Sequence, residues 1–210
     1  MKNEELKKYR DALAHSQQEF AKRSLEKMIE LTGARAYGDS SLIIPYRGEE
    51  CLVTYPAGDV SHFQPDGEQE KLDITDKILI LQYLTEVCGV SPQGKWISFR
   101  ELPAGENHYN TFKLEAMEPL AKRFGKDPEG FAKVCEGVGG KKISMGDIAY
   151  SIEALPKLEL AFILWLADDE FPAQANILFD AYSSMHLNTE GLEVMAGNTA
   201  AKLIAWADRT

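Results

Sequence analysis

The sequence predicts an α+β fold, in which helices pack on a mainly antiparallel sheet, with a long N-terminal helix and a C-terminal amphipathic helix. Residues 3–31 carry apolar side chains at helical spacing, whereas residues 42–55 and 148–166 alternate as strands do around short turns. Short turns join antiparallel strands, because a parallel pair needs a long crossover. No linker or change in composition divides the 210 residues, so we expect a single domain over 1–210.

The N-terminal quarter predicts a helix followed by a hairpin. Apolar residues recur every three, four or seven positions in 3–31, and Gly33 is placed to end that helix. Residues 42–46 and 51–55 then alternate on either side of a glycine-containing turn, which is typical of a β-hairpin. Residues 60–63 can add a third strand.

The second quarter predicts a loop and a helix. Residues 64–71 are polar and contain proline and glycine, so they indicate a loop. Asp73 or Thr75 can cap the helix that follows, and Gly89 ends it. Its buried face would consist of Ile78, Leu81, Leu84 and Cys88.

The middle of the chain predicts a strand and two helices. Residues 96–102 alternate like a strand. A helix should run from Asn107 or Asn110 to Phe124, with a kink at Pro119, which lacks a backbone N–H. The pair Asp127-Pro128 then indicates a cap and first turn for a shorter helix.

The C-terminal third predicts an antiparallel pair and a final helix. Residues 148–153 and 158–166 flank a proline-containing turn, and the second strand is apolar enough to be central. Residues 175–179 fit either a strand or the start of a helix. Asn188 caps the final helix. Its buried stripe would consist of Leu192, Met195, Ala196, Thr199, Leu203 and Trp206.

Composition excludes several classes of protein. The net charge is −10, which opposes binding to nucleic acid or to anionic lipid. The longest nearly apolar run, 160–167, is far shorter than the roughly 20 residues of a membrane span. The charged N terminus lacks the apolar core of a secretory signal, so we expect a cytoplasmic protein that does not bind membranes. Cys51, Cys88 and Cys135 are too scattered to hold zinc or an iron–sulfur cluster.

No complete catalytic or cofactor motif is present, so the sequence predicts no metal and leaves any cofactor unknown. Residues 137–144 resemble a phosphate-binding loop but lack its first glycine and its Ser or Thr, and they follow a helix instead of a strand. We interpret them as a loop between a helix and a strand. The four histidines include no pair four residues apart, and we interpret them as solvated or capping residues.

The strongest candidate site is the acidic segment Asp168-Asp169-Glu170, which follows an apolar strand. Asp147, Asp180 and Glu190 occupy comparable positions at the ends of other elements. If several of these carboxylates converge, they could bind a cation, hold a basic group of a partner or perform acid–base chemistry. The competing interpretation is that they are solvated turn formers or charges at helix N termini.

A second candidate is the pair Arg100 and Tyr109. Arg100 offers a planar set of donors for a carboxylate or phosphate, and Tyr109 offers a phenol nearby. An ion pair between Arg100 and a neighbouring strand or the acidic turn is an equally good interpretation. The candidate ligand-binding residues are Arg100, Tyr109, Asp147, Asp169, Glu170 and Asp180.

Several short motifs in the C-terminal half carry a family resemblance. They are Gly146-Asp147, Leu155-Pro156, Trp165 with the acidic segment through Pro172, and Leu178-Phe179-Asp180. On these residues the chain resembles an uncharacterised prokaryotic family, domain of unknown function 3786, over roughly residues 96–203. The resemblance implies a protein of anaerobes, some of whose relatives carry an iron–sulfur segment like those of corrinoid proteins. This chain lacks that segment, which argues against a redox role of its own. The resemblance leaves association with a redox or corrinoid partner open and assigns no catalytic residue.

Two functional hypotheses follow. The first is a cytoplasmic binding or accessory module with a polar pocket or partner surface near the acidic segment, for a small polar ligand or a protein. The alternative is a small hydrolase or lyase that uses Asp169 or Glu170 as general base and Arg100 as electrostatic stabiliser. The two differ in whether Asp169, Glu170 and Arg100 line one concave site.

Overall fold

The computed structural model describes residues 2–64 and 72–209, which form an α+β fold with two antiparallel sheets. The strands are β1 Arg35–Ala36, β2 Ser41–Tyr46, β3 Glu49–Thr54, β4 Val60–His62, β5 Trp96–Ser98, β6 Lys141–Ile143, β7 Ile148–Leu155, β8 Leu158–Trp165 and β9 Gln174–Asp180. The α-helices are α1 Lys2–Ala21, α2 Leu25–Thr32, α3 Ile74–Glu86, α4 Tyr109–Phe112, α5 Glu118–Phe124, α6 Pro128–Gly137 and α7 Thr189–Ala207. The sheets have strand orders β1-β2-β3-β4 and β5-β9-β8-β7-β6.

The predicted hairpin is confirmed, but it belongs to a sheet of its own. Arg47 and Gly48 form the two-residue turn, and both have positive φ angles, which suit the twist of a hairpin. A Cβ at Gly48 would lie 2.6 Å from the carbonyl oxygen of Val138, so this close approach requires glycine. The backbone N–H of Arg47 donates to the carbonyl of Ala154 at 3.0 Å, which joins the turn to the second sheet.

The predicted C-terminal antiparallel pair is also confirmed. Strands β7 and β8 pair with Ile148 opposite Leu164, and β8 is the central strand of its sheet. Residues 175–179, which fitted either a strand or a helix, belong to β9. The buried core contains side chains from both sheets and from the helices that cover them.

The prediction of one N-terminal helix over 3–31 is wrong, because the helix breaks before Ser24. Ser24 has an extended backbone and its hydroxyl accepts a hydrogen bond from the backbone N–H of Lys27, so it caps a separate helix, α2. Gly33 ends α2 in the left-handed conformation, as predicted.

We expect Ser24→Ala to lower the free energy of unfolding by about 1 kcal/mol, because α2 would lose its N-terminal cap. Chemical denaturation of purified protein measures this change. Ser91→Ala is the control, since Ser91 is exposed and makes no side-chain hydrogen bond in the described structure. Equal unfolding midpoints for the two variants would contradict the role of the cap.

Two other predicted elements are shorter than expected. The strand predicted over 96–102 ends at Ser98, because Glu101 accepts hydrogen bonds from both the backbone N–H and the hydroxyl of Ser98 and starts a 3-10 turn. Helix α3 ends at Glu86, so Cys88 is exposed and does not belong to its buried face.

The helix predicted up to Phe124 is interrupted, as its proline suggested. A π-helical segment, Lys113–Met117, separates α4 from α5, and Pro119 lies in the first turn of α5. Phe112 and Phe124 are nevertheless both buried on the predicted face.

The remaining helices match their predicted starts. The side chains of Asp127 and Asn188 accept hydrogen bonds from backbone N–H groups of the first turns of α6 and α7. Most of the predicted stripe of α7 is buried, whereas Trp206 is only partly buried. The interpretation of residues 137–144 as a loop is only partly right, because Gly137 ends α6 and residues 141–143 form β6. The predicted loop 64–71 lies outside the described residues after Gln64. No helix in the described ranges combines the length and apolar composition needed to cross a bilayer.

Candidate functional site

The acidic segment forms a tight turn after β8, and Asp168 holds that turn together. Its Oδ1 accepts hydrogen bonds from the backbone N–H groups of Glu170 at 2.9 Å and Phe171 at 2.7 Å. These bonds hold the pKa of Asp168 below its usual value, so the carboxylate is charged at neutral pH. Asp168 therefore acts as a turn former, whereas the side chains of Asp169 and Glu170 make no hydrogen bond in the described structure.

Asp169 and Glu170 line a groove between this turn and α5. Both are exposed, and neither makes an ion pair in the described structure. Lys122 and Lys126 line the same groove and likewise have no ion-pair partner among the described residues. The depression measures about 650 Å³. One wall of the groove is therefore acidic and the other basic.

The turn approaches α5 closely because of a glycine. A Cβ at Gly125 would lie 2.2 Å from the Cβ of Ala173, which no ordinary side chain permits. The backbone N–H of Ala167 also donates to the carbonyl of Gly125 at 3.1 Å. The groove is thus held at one end by contacts between backbone segments.

A second depression of about 580 Å³ adjoins the first along α5 and the start of β9. Trp165 and Tyr109 contribute aromatic surface to it, and Trp165 is 42% exposed. Both depressions are lined by Glu118, Ala121, Pro172 and Ala173. We refer to the two together as the α5 groove.

Arg100 lies apart from Asp169 and Glu170. It belongs to the 3-10 turn after β5, contrary to its predicted place in a strand, and it is not among the residues that line the α5 groove. Its guanidinium stacks 3.9 Å from the ring centre of Tyr109, and its Nε is 3.5 Å from a carboxylate oxygen of Glu106. Of this candidate pair, only Tyr109 reaches the groove.

The other candidate carboxylates do not converge. Oδ2 of Asp147 accepts a hydrogen bond from the backbone N–H of Leu166 at 2.8 Å, so Asp147 lies at the same end of the sheet as the acidic turn. Gln174 at the start of β9 lines the groove, whereas Asp180 ends that strand. The six residue steps of strand between them span about 20 Å. Asp180 is also buried. Glu190 lines a separate cavity beside α3. Within the described residues, no three His, Cys, Asp or Glu side chains are grouped as a metal site requires.

Sequence reasoning missed a second charged pocket, which we call the hairpin pocket. It measures about 400 Å³ and lies between the Arg47-Gly48 turn, the start of α3 and one side of α7. Its lining residues are Arg47, Glu49, His62, Leu72, Asp73, Asp76, Asn198, Ala201, Lys202, Ala205 and Arg209. Arg47 and Asp76 form an ion pair in which both side chains are more than nine-tenths buried. The positive φ of Arg47 follows from the turn, but the sequence does not reveal what its side chain contacts.

Burial changes the chemistry of the groups around this pocket. Burial raises the pKa of Tyr46 well above its usual value, so its hydroxyl stays protonated and donates to Oδ1 of Asp76 at 2.6 Å. Burial lowers the pKa of Lys202, although Glu49 at 2.9 Å opposes this shift. His62, which was interpreted as a solvated or capping residue, lies at the end of β4 and contacts the same carboxylate oxygen of Glu49 at 3.3 Å.

A thiol–imidazole contact was also missed. His186, predicted to be solvated or capping, is fully buried, and burial lowers its pKa. Its Nδ1 lies 3.8 Å from the Sγ of Cys88, and its buried Nε2 has no hydrogen-bond partner among the described residues. Cys88 follows the C-terminal end of α3 and does not lie at a helix N terminus. The contact therefore lacks one feature of an activated cysteine nucleophile, a position at a helix N terminus.

A family model matches residues 24–202, which is most of the chain. The chain belongs to the family described as domain of unknown function DUF3786. Comparison with curated proteins and with solved structures gave no match.

The DUF3786 match includes both charged sites. It begins at Ser24, the cap of α2, so α1 lies outside it. The whole α5 groove falls within the matched residues, as does the hairpin pocket except for Ala205 and Arg209. The DUF3786 region therefore contains the α5 groove and most of the hairpin pocket.

Proposed function

We propose that the protein is a binding module that holds a segment of a protein partner in the α5 groove. The observation that carries this proposal is the continuity of the groove, in which two adjoining depressions share four lining residues. Trp165 and Phe171, which line the two depressions, are 42% and 63% exposed. Exposed aromatic side chains next to a groove are typical anchors of protein–protein contacts.

The charges of the groove favour a polypeptide over a small ligand. Asp169 and Glu170 stand on one wall and Lys122 and Lys126 on the other, all without ion-pair partners among the described residues. A peptide that carries both basic and acidic side chains would pair with both walls. Sites for small molecules usually enclose most of the ligand, whereas this groove is long and open.

We propose a redox or corrinoid protein as the partner. The support for this class is the resemblance described under Sequence analysis, which implies relatives with iron–sulfur segments. Such a protein would supply the cofactor, while this chain would supply the docking surface.

The alternative, a hydrolase or lyase, has less support. It requires Asp169 or Glu170 and Arg100 to face the same substrate. The guanidinium of Arg100 instead stacks on Tyr109 and pairs with Glu106, outside the residues that line the groove. A binding module accounts for this arrangement without a catalytic pair.

Selection from a displayed library of random peptides, with the full chain as bait, tests the proposal. We expect the selected peptides to carry basic, acidic and apolar residues. Their affinity should fall at least tenfold, or about 1.4 kcal/mol, in the double variant Trp165→Ala, Glu170→Lys, because it removes an anchor and reverses a charge.

The matched control is Met185→Ala, Glu30→Lys, which alters an exposed apolar residue and an exposed acid outside the groove. Unfolding curves establish that both variants are folded. Peptides that bind the groove variant as well as the wild type would contradict the proposal, as would a selection that enriches no peptide.

A further inference from the structure

The hairpin pocket has its own recognition chemistry, which is independent of the α5 groove. The two sites share no lining residue. Three cations, Arg47, Lys202 and Arg209, line the hairpin pocket together with His62. The acids of the pocket are Glu49, Asp73 and Asp76. A ligand would contact those groups that have no partner in the protein.

The two inner acids already accept hydrogen bonds from the protein. Oδ2 of Asp76 accepts a hydrogen bond from the guanidinium of Arg47. Its Oδ1 accepts hydrogen bonds from the hydroxyl of Tyr46 at 2.6 Å and from the amide of Asn198 at 2.8 Å. Glu49 is contacted by Lys202 at 2.9 Å and by His62 at 3.3 Å. These carboxylates are therefore largely occupied as acceptors.

Two of the cations, in contrast, have donors without a partner among the described residues. Arg47 is 6% exposed and uses Nη2 for Asp76, but its Nε is buried and has no hydrogen-bond partner in the described structure. Buried donors are normally satisfied, so an unpaired one indicates a missing acceptor. Arg209 also has no ion-pair partner among the described residues. The groups left over are mainly cationic donors.

We propose that the hairpin pocket binds a small molecule through an oxyanion group, either a carboxylate or a phosphate. A planar guanidinium and an ammonium are the side chains that bind such groups best. The volume of about 400 Å³ fits a small metabolite. The oxyanion supplies an acceptor for Nε of Arg47 and for Arg209, and Lys202 adds a third positive charge.

Asp73 disfavours the binding of a negatively charged group in the pocket, because its own side chain carries a negative charge. It is exposed at the N-cap position of α3, and its side chain makes no capping hydrogen bond. Its free carboxylate repels a bound oxyanion, so removing its charge should strengthen binding. Asn is an equally good capping residue, and Asp73→Asn therefore changes the charge without weakening the helix start.

Titration with two probes tests the proposal and identifies the ligand class. Inorganic phosphate and succinate are added separately at matched ionic strength to the full chain, and binding is measured by calorimetry. The fluorescence of Trp206 gives a second readout, because Nζ of Lys202 lies 5.1 Å from its ring centre. Saturable binding of phosphate alone, of succinate alone or of both supports the proposal and names the class.

Variants locate the binding. We expect Lys202→Met to raise the dissociation constant at least tenfold, and Asp73→Asn to lower it. Lys133→Met is the control for loss of one positive charge, since Lys133 is exposed on α6 and lines neither site. If Lys202→Met does not fold, Arg209→Gln replaces it, because Arg209 is exposed.

Two results would overturn the proposal. One is the absence of saturable binding of either probe with a dissociation constant of about 1 mM or tighter. The other is binding that the Lys202, Arg209 and Asp73 variants leave unchanged. Neither result affects the proposal for the α5 groove, which these variants do not alter.

Discussion

Asp76→Ala is expected to destabilise the protein by about 3 to 5 kcal/mol, because it removes one partner of a buried ion pair. Arg47 would remain buried with an uncompensated charge. The hydroxyl of Tyr46 and the amide of Asn198 would also lose the oxygen to which they donate. The loss is large because the side chains of Arg47 and Asp76 are both more than nine-tenths buried.

Urea denaturation measures this loss when the dependence of the unfolding free energy on urea concentration has the same slope in the variant and the wild type. Asp39→Ala is the control, since Asp39 is an exposed acid that makes no side-chain hydrogen bond in the described structure, and it should change stability by less than about 0.5 kcal/mol. A second variant, Arg47→Met with Asp76→Leu, removes both charges and should recover much of the stability. Equal midpoints for Asp76→Ala and Asp39→Ala would show that the pair contributes nothing.

Local patterns predicted most of the fold because they reflect short-range interactions. The turn at Arg47-Gly48 and the proline turn after β7 each join strands that are adjacent in sequence. The break before Ser24 was missed because the apolar periodicity continues through it, although serine is a common cap. The early end of β5 had a signal as well, since Ser98 and Glu101 have the spacing of a capping box.

The candidate sites were less predictable because they depend on contacts between distant residues. The strand directions bring Asp147 and the acidic turn to one end of the sheet, because β7 and β8 are antiparallel neighbours. The hairpin pocket joins Arg47 to Asp76, 29 residues away, and to Lys202, 155 residues away. No local pattern in a single sequence specifies such pairings.

The direction of β9 separates Asp180 from Asp169, although the sequence analysis grouped both as candidate ligand-binding residues. Asp180 lies at the end of that strand and is 2% exposed. Its carboxylate accepts hydrogen bonds from the backbone N–H groups of Gln93 at 2.9 Å, Gly94 at 2.7 Å and Tyr182 at 2.9 Å. Its oxygens therefore hold the turn before β5 against the end of β9 and are not free for a ligand.

Asp180→Ala is accordingly expected to cost about 3 to 5 kcal/mol, because three hydrogen bonds to a charged acceptor are lost and the backbone donors stay partly buried. Asp169→Ala is the matched substitution, since Asp169 is exposed and makes no ion pair among the described residues. It should change stability by less than about 0.5 kcal/mol. Urea midpoints of the two variants measure the difference. If Asp169→Ala proved as destabilising as Asp180→Ala, the acidic turn would be a structural element, and the α5 groove would lose an acid free to contact a partner.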